Sequence, residues 1–215
     1  ERGRGGHRGS APAFEVVDEF ERQMAAFAGA KHGIAVASCT DALFLSCKYV
    51  AVNHLVLPVT LPARTYISVP MAVIHAGGKV RFEDYEWDGV YQLNPEPIYD
   101  GALRMRRGMY EGGLHCLSFH LRKLLPIGKG GMILTDREHA ANWFRKARFD
   151  GRDGATPFMR DKVEMMGWNC YMLPEQAARG LQLLEAIGDG KPDLCPPYPD
   201  LREMPVFKNH PQVLQ

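Results

Sequence analysis

From Gly33 onward the chain alternates short apolar runs with helix-length ones, and that rhythm limits the fold more than any other feature. Residues 34–37 read as a buried strand, 41–50 as a helix, 55–59 as a strand, 68–75 as a helix and 80–82 as a strand ending at Glu83-Asp84. Strands that alternate with helices in this way imply a mostly parallel sheet flanked by helices, the α/β class. Before this series, Phe14, Val17, Phe20, Met24 and Phe27 recur at spacings of three and four, which predicts a helix over 12–28. After it come a turn-rich stretch over 87–97, a strand at 97–100, and two strands at 114–119 and 132–134 that bracket Lys123. Helices follow over 137–147 and 174–187, the second with Pro174 in its first turn, where proline is well tolerated.

The organisation that results is one α/β domain over 12–188, which 215 residues suffice to give a substantial core. Residues 1–11 read as a flexible, basic, Gly/Arg-rich arm, and 189–215 as a Pro-rich extended tail that orders only where it docks. A formal net charge of +1 gives no support to a nucleic-acid partner for the arm. No apolar run approaches the ~20 residues that span a bilayer, and the N-terminal stretch has no apolar segment of the signal-peptide kind. Five cysteines, an odd number without a C-x-x-C pair, suit reduced thiols in the cytoplasm better than a disulfide framework or a zinc site. His115 and His120 flank the strand before Lys123, but five residues apart on a strand they face opposite sides, so no metal site is expected.

The chemistry concentrates around Lys123. An apolar strand delivers Ser118 at its end, Lys123 follows five residues later, and the glycine-rich Gly128-Lys129-Gly130-Gly131 leads into the next strand. A lysine held in such a setting can serve as an amine nucleophile once desolvation removes its charge. Asp100 ends the strand 97–100, where open α/β sheets bind ligands. Ser38-Cys39-Thr40 lies at a strand-to-helix junction, whose backbone N–H groups and helix dipole favour an anion. On residue chemistry alone, Asp100 could equally shape a turn, Thr40 cap a helix, and Tyr66 be an ordinary buried aromatic.

Together these segments resemble the DegT/DnrJ/EryC1/StrS aminotransferases. These are pyridoxal-phosphate enzymes of the aspartate-aminotransferase fold, most of which act on nucleotide-linked keto sugars. Ser118-Phe119 through Lys123 and Gly128 to Gly131 is similar to the S-F-x-x-x-K … G-[ED]-G-G signature, Asp100-Gly101-Ala102 to "EDaA", Ser38 to Leu43 to S-G-T-[DE]-A-L, Thr65-Tyr66 to "T-[FYW]", and Gly167 to Met172 to "G-[YF]-N-x-R-[ML]". The resemblance implies a large domain of that fold with the C-terminal small domain largely missing. It implies pyridoxal 5′-phosphate as cofactor, Lys123 as the lysine of the internal aldimine, and Asp100 as partner of the pyridine nitrogen. Ser38, Cys39, Thr40 and Ser118 would hold the phosphate, Tyr66 would stack on the ring, and Asn169 would reach the cofactor of a second subunit. The partners implied are an amino donor, a keto acceptor and a second copy of the chain in a homodimer, with tail residues at its interface.

The departures are specific. Cys39 replaces a glycine, Leu103 a His or Gln, Lys129 an acidic residue, and Tyr171 the arginine that would meet an acidic substrate group. About a dozen residues separate Asp84 from Pro97, too few for a crossover helix and its strand. The expectation is therefore a sheet smaller than the family's, with 97–100 pairing directly beside 55–59. A shortened chain that binds cofactor or protein without efficient turnover is the alternative function.

Overall fold

The computed structural model describes residues 12–53 and 58–214. The basic arm, and all but the end of the strand expected at 55–59, lie outside the described residues. In chain order the elements are α1 (Glu15–Ala28), β1 (His32–Val36), α2 (Cys39–Asn53), β2 (Val59–Pro62), α3 (Ser68–His75), β3 (Val80–Glu83), β4 (Tyr91–Gln92), β5 (Ile98–Asp100), β6 (Met105–Arg106), β7 (Leu114–Ser118), β8 (Gly131–Thr135), α4 (Glu138–Ala147), α5 (Pro174–Ala186), β9 (Gly190–Lys191), α6 (Pro205–Lys208) and β10 (Val213–Leu214).

Helix α1 buries Val17, Phe20, Met24 and Phe27 along one stripe. It stops at Gly29, whose φ of 86° suits a left-handed cap and whose N–H reaches the Ala25 carbonyl at 2.9 Å. The main sheet runs β1-β8-β7-β5-β4, with β5 and β7 parallel and the other neighbours antiparallel. A second sheet, β10-β3-β2, is parallel throughout. Reciprocal backbone hydrogen bonds between Thr60 and Asn94, at 2.7 and 3.2 Å, join the two.

Alternation along the strands sends side chains into two cores. Ile34, Val36, Cys116 and Ile133 pack with α2, α3 and α4 on one face. Ala35, Leu117, Met132 and Leu134 pack with α1 and α5 on the other. A sheet with helices on both faces is the α/β architecture expected.

The expected neighbour of 97–100 is overturned. β5 does not pair beside β2, because β4 lies between them, antiparallel to β5 with Tyr91 opposite Asp100. The dozen residues after Asp84 are too few for a crossover but ample for a hairpin, so the chain folds straight back along β5. The tail is ordered because it docks on its own domain. The Leu201 N–H bonds to the Ala63 carbonyl at 2.9 Å, Phe207 meets Phe82 edge-on at 5.6 Å, and β10 extends the sheet beside β3. Leu201 and Phe207 are both buried, and each such side chain is worth about 1.5–3 kcal/mol. No helix among the described residues is long and apolar enough to cross a membrane. Cys39, Cys47, Cys116 and Cys170 are buried free thiols, and Cys195 is exposed.

Candidate active site

β1, β5 and β7 run in one direction, since β1 and β7 are each antiparallel to β8 and β5 is parallel to β7. Their C-terminal ends therefore open on the same edge, where an α/β sheet presents ligand-binding groups. Asp100 ends β5, Ser118 ends β7, and Ser38 follows β1.

Gly131 ties three of these segments together. It lies opposite Val36 on one side and Ser118 on the other, with the Ser38–Cys39 peptide packed over it. A Cβ at Gly131 would stand 2.4 Å from the Ser38 carbonyl carbon and 2.5 Å from the Cys39 nitrogen, so only glycine fits. The Ser38 hydroxyl is already engaged: it donates to the Asp41 carboxylate at 2.7 Å and accepts from the Asp41 N–H at 3.1 Å, as a helix cap does. The Thr40 hydroxyl bonds to Ser68 at 2.9 Å, which brings the starts of α2 and α3 together. The first-turn N–H groups of a helix lack intrahelical acceptors, so this junction can receive an anion. Burial pushes the Cys39 thiol up, the Asp100 carboxylate and Cys116 add to that, and Lys123 opposes it.

Lys123 sits in an ordered loop between β7 and β8. The loop is held by Phe119 N–H to Gly130 O at 2.9 Å, Leu121 N–H to Gly128 O at 3.2 Å, and Lys123 N–H to His120 O at 2.9 Å. The ammonium of half-buried Lys123 lies 6.0 Å from the centre of the Tyr66 ring. Tyr66 is 54% exposed, so a ring face is open to a flat partner.

Asp100 is buried. Its Oδ1 accepts the Ala102 N–H at 3.0 Å and its Oδ2 accepts the Tyr91 hydroxyl at 3.0 Å. Burial raises its carboxyl above the ordinary range, while these two hydrogen bonds and the Lys123 charge pull it back. A cation delivered next to it, such as a protonated ring nitrogen, would supply the compensation that burial demands. An amine, a buried carboxylate, an exposed aromatic face and an anion-receiving helix junction thus share one edge. That set fits pyridoxal phosphate.

Asn169 is exposed and donates to the Asp150 carboxylate at 3.1 Å, and the carbonyl of the next residue accepts the Ala37 N–H at 2.7 Å. Tyr171 packs on Phe14 and Phe149 at 5.5 and 5.0 Å beside α1, an aromatic contact in place of a substrate-facing cation. Leu103 is buried, and Lys129 points to solvent.

A sequence model of the DegT/DnrJ/EryC1/StrS aminotransferase family matches residues 11–101 and 106–190. The chain belongs to this family. Among curated relatives it is 28% identical to the spore coat polysaccharide biosynthesis protein SpsC of Bacillus subtilis and 26% identical to the GDP-perosamine synthase of Caulobacter vibrioides. Each match covers 80% of this chain, and the chain spans 57% of the length of either relative. The SpsC alignment runs to 224 positions, more than the 215 residues of this chain, so the relative carries internal residues with no counterpart here. The fold is that of AtS13 from Actinomadura melliaura, with a TM-score of 0.70 at 21% identity over 82% of this chain and 60% of that one.

Three residues beside these groups, Tyr91, Trp87 and Tyr198, carried no motif. The Tyr91 hydroxyl bonds to that of Thr65, from the Thr65-Tyr66 motif, at 2.7 Å and donates to Asp100 at 3.0 Å. Trp87 packs on Tyr91 at 4.6 Å. Tyr198, from the tail, stacks on Trp87 at 6.2 Å and meets Tyr66 at 6.3 Å. Burial, then Asp100 and Tyr66, push the Tyr198 hydroxyl up to about 12, which puts the tail within electrostatic reach of Asp100. The one available sign was alternation: Tyr91 and Leu93 are buried, Val90 and Gln92 less so, a strand pattern only four residues long.

Proposed function

We propose that this chain is a pyridoxal-phosphate-dependent aminotransferase that takes an amino group from a small-molecule donor and delivers it to a keto sugar, nucleotide-linked as the name of one relative suggests. The observation that carries the reading is the placement of Lys123, Asp100, Tyr66 and the α2 start along one sheet edge, in a chain of this family. Bound there, the cofactor would act as an electron sink for the carbon that bears the amino group. Lys123 would hold it covalently through Nζ and, once displaced by the donor, move the proton at the donor's Cα. Asp100 would keep the ring nitrogen protonated, Tyr66 would cover one ring face, and Ser38, Cys39, Thr40 and Ser118 would receive the phosphate.

Exposed Asn169 suits a role across a homodimer, where it would reach the partner's phosphate. An obligate interface of this kind buries well over ~2,000 Å². The buried free thiols suit the cytoplasm. Tyr198, set against Tyr66 and Trp87, favours a second reading: the tail fills the substrate side, and the chain binds cofactor or protein with little turnover.

The test is to add pyridoxal phosphate to the purified chain, record the visible absorbance, then add glutamate. An absorbance band that glutamate bleaches supports the aminotransferase. A band that glutamate leaves unchanged supports the second reading. No band refutes the aminotransferase and leaves the second reading only in its protein-binding form. Light scattering at low concentration checks the dimer, and a stable monomer that still holds cofactor removes the role given to Asn169.

A further inference from the structure

The hairpin of β4 and β5 does more than fill space. It carries Tyr91 to the inner end of the site, where three buried side chains, Thr65, Tyr91 and Asp100, form a continuous hydrogen-bonded line. Tyr91 has a single proton, and the Asp100 Oδ2 at 3.0 Å, an acceptor only when ionised, takes it. The bond between the Tyr91 and Thr65 hydroxyls, 2.7 Å long, must then run with Thr65 donating. With the Ala102 N–H on Oδ1, both carboxylate oxygens meet a donor before any ligand arrives. Trp87 fixes the Tyr91 ring from one side, and Thr65 immediately precedes Tyr66, so the line also ties the Tyr66 loop to Asp100.

We propose that Tyr91, supported by Thr65, is the positioning residue of Asp100: it orients the carboxylate and holds it ionised so that it can face a protonated ring nitrogen. The role rests on the cofactor reading given above. The physical need is plain, because burial favours the neutral acid, and a neutral acid cannot hold the proton on a ring nitrogen. A tyrosine that merely fills the hairpin would be replaced by phenylalanine without consequence for Asp100. Each member of the line also strengthens the next, since Thr65 polarises the hydroxyl that Tyr91 offers.

The experiment follows the Asp100 carboxyl carbon by NMR in cofactor-free protein labelled at aspartate. Tyr91→Phe should move its titration midpoint up by about one pH unit, and Thr65→Val should move it up by less. The other titratable groups that act on Asp100 or are acted on by it are Lys123, Cys39, Cys116 and Tyr198, and both variants leave all four in place. A second arm measures the dissociation constant of pyridoxal phosphate for Tyr91→Phe, Asp100→Asn and the double variant. Tyr91→Phe should weaken binding about tenfold, and the double variant should be no weaker than Asp100→Asn, because one residue acts through the other. An unmoved midpoint in Tyr91→Phe, or single effects that multiply in the double variant, overturns the proposal. A wild-type chain that binds no pyridoxal phosphate overturns the cofactor reading, and with it the purpose assigned to Tyr91. The cofactor-free titration distinguishes that failure from a missing hydrogen-bond line.

Discussion

Removing the Glu21 carboxylate should destabilise the fold more than any surface change, and the structure sets the size of the loss. Glu21 lies on α1 and is buried; its Oε1 accepts the Ala35 N–H of β1 at 2.8 Å and also takes an Arg148 Nη1 donor. The same guanidinium, just past α4, donates to the Ala35 carbonyl at 2.6 Å. The side chains of the pair are 6% and 12% exposed, so a single pair clamps α1, β1 and the end of α4 away from water. Glu21→Ala leaves the Arg148 charge buried without its partner, which costs about 3–5 kcal/mol. With a urea slope of about 2–3 kcal/mol per molar, the unfolding midpoint should fall by roughly 1–2.5 M. By contrast the Glu19–Arg22 pair, 37% and 68% exposed, should be worth under ~1 kcal/mol. The double variant Glu21→Leu with Arg148→Met should lose less than Glu21→Ala alone, because it leaves no charge behind. A Glu21→Ala loss below ~1 kcal/mol, or a double variant worse than both singles, would refute the reasoning.

Two further outcomes follow from local geometry. Gly131→Ala drives a Cβ into the Ser38–Cys39 backbone, so it should cost about 1–3 kcal/mol in urea unfolding and weaken pyridoxal-phosphate binding measured by fluorescence; unchanged binding would mean that this junction is not the cradle. His115 is held down to about 4 by burial, with the Arg104 charge adding to it. Below about pH 6.5 the unfolded chain takes up a proton that the folded chain refuses, so stability should fall by about 3 kcal/mol as the pH drops to about 4. His115→Leu should flatten that slope in pH-dependent denaturation, and an unchanged slope would assign the acid sensitivity elsewhere.

How far the sequence was legible depended on whether the signal was periodic. The stripe Val17, Phe20, Met24, Phe27 was legible because its apolar spacing repeats over several turns of one helix. Asp100, Ser118 and Ser38 could be placed at one edge because each sits at or just past the C-terminal end of a strand. Of the strand expected at 55–59, only Pro58 and Val59 lie among the described residues, and Val59 opens β2. Pro58 has no N–H for a ladder, so pairing with β3 starts after it. β4 escaped because two residues between Asp88-Gly89 and Asn94-Pro95 carry too little periodicity to be told from a turn. Tyr198 escaped for a different reason: its place over Trp87 and Tyr66 is set by where the tail docks, through Leu201 and Phe207, and not by any local pattern. The strand-end positions of Asp100, Ser118 and Ser38 were thus readable, while the contacts that Tyr91 and Tyr198 make around them were not.

The proposed function depends most on Lys123 being the amine that holds the cofactor. Reduction with borohydride after incubation with pyridoxal phosphate, followed by peptide mapping, tests it in a single experiment. One labelled peptide is expected, the one that carries Lys123, with no label there in a Lys123→Ala variant whose unfolding midpoint is unchanged. A label on Lys48 or Lys129, or an equal label in the variant, would contradict it.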